Sequence, residues 1–155
     1  MENIGLKLAR SNDACLVTEI QKASFMPLYE KYRDDISPVF DTPEILAERI
    51  ETSDYYIIYY GEESVGGVRV VGNSDDDTFR ISPVFLVPSV QDKGIGTKVM
   101  RLVFKQYPQA EKWSLATIKE EKRNCHFYEK LGFIPTGEEK RVNENMTLVF
   151  YEKTV

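Results

Sequence analysis

Apolar and polar residues alternate from 3 to 9 (Asn-Ile-Gly-Leu-Lys-Leu-Ala), which predicts a first strand. Ser11-Asn12-Asp13 then supplies an N-cap cluster, and Ala14, Val17 and Ile20 fall on one face of a first helix reaching Phe25. Pro27 stands where a second helix begins, so Met26 to Tyr32 reads as the second part of a two-part helical segment that stops before Ile36-Ser37-Pro38. Asp41-Thr42-Pro43-Glu44 opens a further short helix containing Ile45, Leu46 and Ile50. The aromatic and β-branched run Tyr55 to Tyr60 is a strand, and Gly61-Glu62-Glu63 turns it back into a second, Ser64 to Gly72. Gly66-Gly67 inside that strand marks a bulge or a close backbone approach. Residues 73–77 form a polar hairpin tip leading into a strand from Thr78 to Val87, where Pro83 predicts a local irregularity because it has no N–H for a ladder.

The second half keeps the same grammar. Ile95, Val99, Leu102, Val103 and Gln106 recur at helical spacing before Pro108, Lys112 to Ile118 is a strand holding the single Trp113, and Glu121 to Leu131 is a helix closed by Gly132. Phe133 to Val142 and Met146 to Tyr151 pair as a last hairpin around Asn143-Glu144-Asn145. This order is a mixed α/β (α+β) layout, a mostly antiparallel sheet of about six to seven strands flanked by helices. At 155 residues and 42% apolar composition, with no linker or repeat, the expectation is a single domain over 1–155.

Charge and composition narrow the function. A net charge of -5 argues against nucleic acid as a partner, since phosphate-backbone binders cluster excess Lys and Arg; the same field modestly favours a cationic acceptor. No apolar run approaches the roughly 18 residues of a membrane span and no secretory pattern opens the chain, so the expectation is a cytoplasmic protein without membrane contact. Cys15 and Cys125 lack metal-ligand spacing and are read as free thiols, and the single histidine, His126, cannot build a His-rich site, so no metal is expected.

The chemistry concentrates in the Gly-rich turn between the strand ending at Val87 and the helix beginning near Ile95. Backbone N–H groups at a helix start have no intrahelical partner and carry a partial positive charge, so this turn is an anion site, with Lys93, Lys98 and Thr97 as further donors. It is not a Walker A loop, because the order is Gly96-Thr97-Lys98 and no glycine precedes Gly96 by five positions; a dinucleotide fingerprint needs a third glycine where Val99 stands.

The string Gln91-x-x-Gly94-x-Gly96 after a Val-Pro strand end resembles the acetyl-CoA pyrophosphate loop (Q/R-x-x-G-x-G/A) of the GNAT superfamily of N-acetyltransferases. Downstream, Asn124-Cys125-His126-Phe127-Tyr128-Glu129-Lys130-Leu131-Gly132-Phe133 is similar to that superfamily's second cofactor-contacting segment. The resemblance implies a GNAT-like fold whose central strands splay, here near Val87 and Ile118, so that pantetheine inserts as a pseudo-strand. It implies that main-chain groups of Phe85, Leu86 and Val87 bind the pantetheine arm, with Leu86 the choice for polarising the thioester carbonyl. The N–H groups of Gln91, Asp92, Lys93, Gly94, Ile95, Gly96 and Thr97 would hold the pyrophosphate, and Asn124 and Tyr128, four apart on one helix face, would touch the same ligand.

The implied reaction is acetyl transfer from acetyl-CoA to a primary amine of a small molecule or peptide, by direct attack in a ternary complex. Tyr128 is the general acid for the leaving thiolate. Glu120 or a water held by Ser82 are the base candidates, while His126 points about 200° away from the Asn124–Tyr128 face. Asp92 departs from the family pattern, which frequently has glycine there. The alternatives are a non-catalytic acyl-CoA sensor or regulatory module, and a nucleotide-phosphate binder. The resemblance leaves room for a homodimer, and no residue pattern specifies its interface or the acceptor.

Overall fold

The computed structural model describes residues 3–73 and 75–155. Its elements in chain order are β1 (Ile4–Leu8), α1 (Ala14–Tyr32), α2 (Pro43–Thr52), β2 (Asp54–Tyr60), β3 (Glu63–Asn73), β4 (Thr78–Leu86), α3 (Ile95–Gln106), β5 (Lys112–Ile118), α4 (Lys122–Lys130), β6 (Ile134–Asn143) and β7 (Met146–Thr154). Of the hairpin tip expected at 73–77, Ser74 lies outside the described residues, and Asp76 accepts hydrogen bonds from the Thr78 N–H and hydroxyl.

Helix α1 corrects the two-part reading. Pro27 sits inside one continuous helix rather than starting a second. An interior proline deletes the bond to the carbonyl four residues back, here that of Ala23. Both residues are exposed, so the carbonyl that loses its donor lies at the solvent-facing side of the helix. The opposite face is held by buried Val17, Ile20, Gln21 and Ser24, and packing along that face outweighs the break.

The strands form one seven-stranded sheet in the order β1-β2-β3-β4-β5-β7-β6, antiparallel except where β4 meets β5. Period-2 alternation sends side chains of β2 and β4 to two different cores, one on each face of the sheet. On one face Tyr55, Ile57 and Phe85 pack with Val17, Ile20, Leu46 and Ile50 of α1 and α2. On the other, Ile58, Val68, Val70, Phe79, Ile81 and Trp113 pack with Val99, Met100 and Val103 of α3, and Phe127, Tyr128 and Leu131 of the α4 region lie against them.

The parallel β4–β5 pairing covers Thr78↔Lys112, Phe79↔Trp113 and Arg80↔Ser114. Past that point each strand stays paired on its outer side, β4 to β3 as far as Gly66↔Leu86 and β5 to β7 as far as Ile118↔Leu148. The sheet therefore splits between 81–86 and 115–118. The irregularity expected at Pro83 supplies a reason: Val70 pairs with Ile81 but Val68 with Val84, so β4 carries an extra residue at Ser82-Pro83. A bulge bends its strand, and Pro83 offers no N–H to a neighbour.

Candidate active site

The register of β3 against β4 decides which main-chain groups face the split. Val87 N–H donates to the Val65 carbonyl at 2.8 Å, one step beyond the Gly66↔Leu86 pair. In an antiparallel ladder this makes Gly66↔Leu86 a pair that exchanges no hydrogen bonds, so Leu86 turns its N–H and C=O away from β3 and into the gap. The same alternation turns Phe85 toward β3 and Val84 toward the gap. Of the three consecutive residues singled out in the sequence, the ladder and the Val65 contact take the N–H of Phe85 and Val87, and Leu86 presents its own. Val84 is a gap-facing amide that pattern reading missed; the signal lies in the pairing register, which a single strand does not contain. The Leu86 carbonyl accepts a hydrogen bond from Gln91 Nε2 at 2.9 Å, which ties the strand end to the loop that follows.

That loop is anchored by buried Val90 and Ile95 and exposed between them, so Gln91, Asp92, Lys93 and Gly94 stand in solvent. Gly94 is the N-cap of α3 with φ 77°, and Asp92 is also left-handed, with φ 63°. A left-handed position is where glycine is favoured, which is the physical sense of a glycine at the place Asp92 occupies. The Asp92 carboxylate pairs with Arg123 at the start of α4, both side chains being exposed. A Cβ on Gly96 would lie 3.2 Å from the Phe127 ring, so the first turn of α3 and the middle of α4 are in close contact. The two motif segments, far apart in the chain, thus meet beside the sheet split.

The model of the acetyltransferase (GNAT) family matches residues 16–133, most of the chain. This chain belongs to the GNAT acetyltransferase family. Comparison with curated protein sequences finds no match. Among solved structures, an acetyltransferase from Thermus thermophilus superposes with a TM-score of 0.77 at 17% identity, covering 100% of both chains. PaiA N-acetyltransferase from Thermoplasma acidophilum, solved with coenzyme A, gives 0.80 at 14% identity over 99% of each chain. The putative acetyltransferase YncA from Salmonella typhimurium, solved with acetyl-CoA, gives 0.75 at 15% identity over 98% of this chain and 94% of that one. These likenesses show the GNAT fold, and family membership supports acyltransferase activity.

Within this GNAT frame Asn124 is exposed in the first turn of α4, its N–H bonded to the Glu121 carbonyl at 3.1 Å. Tyr128, one turn on, is half-buried with its ring 5.1 Å from Phe127, 5.9 Å from Phe133 and 6.5 Å from Tyr151. Burial, with Cys125 adding in the same direction, pushes its phenol pKa well above the ordinary 10.0. It is a protonated donor throughout the neutral range.

Of the base candidates, Glu120 is exposed and accepts the Thr147 N–H at 2.8 Å. Desolvation of the carboxylate where it meets the chain raises its pKa, but the hydrogen bonds outweigh that and the net shift is downward, which weakens it as a base. Ser82 accepts from Arg80 Nη2 through its hydroxyl at 3.2 Å and from Arg69 Nη1 through its carbonyl at 3.4 Å. His126 is exposed. Two neighbourhoods escaped the sequence reading. Glu121 joins the Tyr32 hydroxyl and, at 2.6 Å, Lys31 Nζ, tying the end of α1 to the start of α4. Arg49, Arg69 and Arg80 converge on one cavity, from positions with no common spacing. Among the described residues no group of three or more His, Cys, Asp or Glu is arranged to hold a metal ion, and no helix is long and apolar enough to cross a membrane.

Proposed function

We propose that the chain acts as one N-acetyltransferase domain, residues 1–155, transferring an acetyl group from acetyl-CoA to a primary amine of a small molecule or peptide in a ternary complex. The observation that carries the reading is the Leu86 amide aimed into the sheet split, with the Gly94–Gly96 helix start immediately downstream. The cosubstrate suits the residues present. A Cβ on Gly94 would meet nothing within 4 Å, so packing does not demand the glycine, and its side of the loop is open beside the unpaired N–H groups of the α3 start.

When bound, acetyl-CoA supplies an activated thioester. Gln91 through Thr97 would hold the pyrophosphate through backbone N–H groups, and the gap-facing amides of Val84 and Leu86, between Phe85 and Val87 on the same strand end, would line the pantetheine arm. Leu86 N–H donates to the thioester carbonyl oxygen, where negative charge gathers as the amine nitrogen bonds to the carbonyl carbon; one such donor contributes on the order of 3 kcal/mol in other enzymes. As the C–S bond breaks, Tyr128 gives its proton to the departing thiolate. Solvent returns a proton to the phenolate and takes the one lost by the amine. Asn124, on the same helix face as Tyr128, orients the arm.

The test is a thermal-shift titration with acetyl-CoA, CoA, ATP and NAD in parallel, followed by thiol release across primary amines. A ligand at about 100 times its dissociation constant stabilises by about 2.7 kcal/mol, a shift of roughly 5 to 10 °C at this size. The expected result is a shift with the CoA species alone and amine-dependent thiol release. A flat response to both CoA species overturns the reading, and a shift without turnover for any amine reduces it to acyl-CoA binding.

Asp92→Gly should tighten acetyl-CoA binding. The change removes a negative charge next to the phosphate-facing N–H groups and relaxes a left-handed residue, at the loss of an exposed ion pair with Arg123 that contributes little. The expected gain is about two- to fivefold in Kd, from roughly 0.3–1 kcal/mol of relieved repulsion at a helix start. Calorimetric titration checks it; unchanged or weaker binding would mean that the Asp92–Arg123 pair shapes the loop.

A further inference from the structure

We propose that the acceptor amine of this enzyme carries an oxyanion, foremost a carboxylate, seated among Arg49, Arg69 and Arg80. The inference rests on the acetyl-transfer reading and adds to it the chemical class of the acceptor. A cavity of about 260 Å³ is lined by these three arginines together with Asp41, Ser82 and Pro83. Three guanidinium groups face one carboxylate, and that carboxylate is already engaged: Asp41 Oδ2 takes Arg49 Nη1 at 2.7 Å and Gln21 Nε2 at 2.8 Å. Arg69 is bonded to neutral oxygens, Ser53 Oγ at 2.9 Å and the Ser82 carbonyl at 3.4 Å, and Arg80 to Ser82 Oγ at 3.2 Å.

Two positive charges thus converge on the cavity without, among the described residues, a matching carboxylate in their hydrogen bonds. Arg69 is half-buried, and its pKa is lowered first by that burial and then by Arg49, with Arg80 adding to it, while Tyr55 and Asp41 oppose the shift. A guanidinium stays charged under such pressure, so the repulsion persists until an anion enters. Planar forks of N–H donors match carboxylate and phosphate geometry.

Position makes the cavity an acceptor site rather than a distant salt pocket. Ser82 and Pro83, its floor, are the bulge at which β4 parts from β5, and Val84 immediately after presents its amide to the gap. Arg49 belongs to α2, so the cavity opens on the α1–α2 face while the α3 loop stands behind the other face. An acceptor entering there reaches the gap from the side opposite the α3 core. At about 3.4 Å per residue, the span from Ser82 to Leu86, whose amide meets the thioester carbonyl, is at most on the order of 14 Å, which bounds the separation between the anionic group and the reactive amine. The local charge thus opposes the acidic whole, and a nearby guanidinium outweighs a distant net field because exposed charges are screened within about 10 Å.

The test compares amines of similar size: carboxylate-bearing, phosphate-bearing, neutral and polycationic. Each is read by thiol release with acetyl-CoA and by thermal shift of the free protein, for wild type, Arg69→Gln and Arg80→Gln. Arg80 is exposed, so the second variant keeps the test intact if the first fails to fold. The expected result is a kcat/KM for carboxylate amines about ten- to a hundredfold above neutral ones, carried by KM, and a thermal shift with the same preference. Each variant should lose most of that preference while neutral-amine turnover and the acetyl-CoA shift stay unchanged. A preference for phosphate over carboxylate overturns the carboxylate assignment and leaves an oxyanion. Equal use of neutral or polycationic amines, or variants that weaken every acceptor alike, overturns the anion site itself. An anion-selective thermal shift without thiol release supports the site and counts against acetyl transfer, so the two readings fail separately.

Discussion

Tyr128→Phe should lower turnover about 10²- to 10⁴-fold, the usual contribution of a positioned proton donor, and leave the acetyl-CoA thermal shift unchanged. The substitution removes one hydroxyl and keeps the ring that packs against Phe127, Phe133 and Tyr151, so stability is a poor explanation for a loss of that size. The pH profile offers a second check. Because burial raises the Tyr128 pKa, the phenol is fully protonated below 10.0 and ionises only above it. Wild type should therefore show no alkaline fall in kcat assignable to this tyrosine below about pH 10. Full turnover by the Phe protein with a verified amine would place the proton donor elsewhere.

Gly66→Ala should destabilise the protein by about 3 kcal/mol, the upper range for overpacking, which is roughly 6–12 °C in Tm for a chain of this length. An ideal Cβ at this buried glycine would collide with the Phe85 carbonyl oxygen, and the obstacle is backbone, which has no rotamer to yield. The relief available is to push β4 off β3 beside Leu86, and that shift misaims the gap-facing amide. Acetyl-CoA binding should therefore weaken along with the loss of Tm. Gly5→Ala is the control: its Cβ meets nothing within 4 Å, and it should be close to neutral. An unchanged Tm for Gly66→Ala would mean that the β3–β4 approach relaxes without harm, and the close-packing account of the gap would fall.

The strands and helices were legible because their cause is local. The aromatic and β-branched run Tyr55 to Tyr60, the Thr42-Pro43 start of α2 and the left-handed Gly94 ahead of α3 all act within a few residues. Pro83 announced an irregularity and Gly66-Gly67 a close approach, both by what these residues lack. Pro27 misled for the same reason: its local preference is real, but packing of the other face of α1 overrode it. The anion-binding character of the 91–97 loop was readable because unpaired N–H groups at a helix start follow from backbone geometry alone.

By itself, then, the sequence determined the element order apart from the break read at Pro27, the glycine-bearing helix start and the four-residue spacing of Asn124 and Tyr128, since each depends on dihedral preference and helical or strand period. Tertiary structure alone decided that Leu86 and Val84 face the split, that Asp92 meets Arg123, and that Arg49, Arg69 and Arg80 share one cavity. Those facts depend on pairing register and on contacts between segments distant in the chain. No local period encodes such contacts, because the free energy that selects them comes from burying the two sheet faces together.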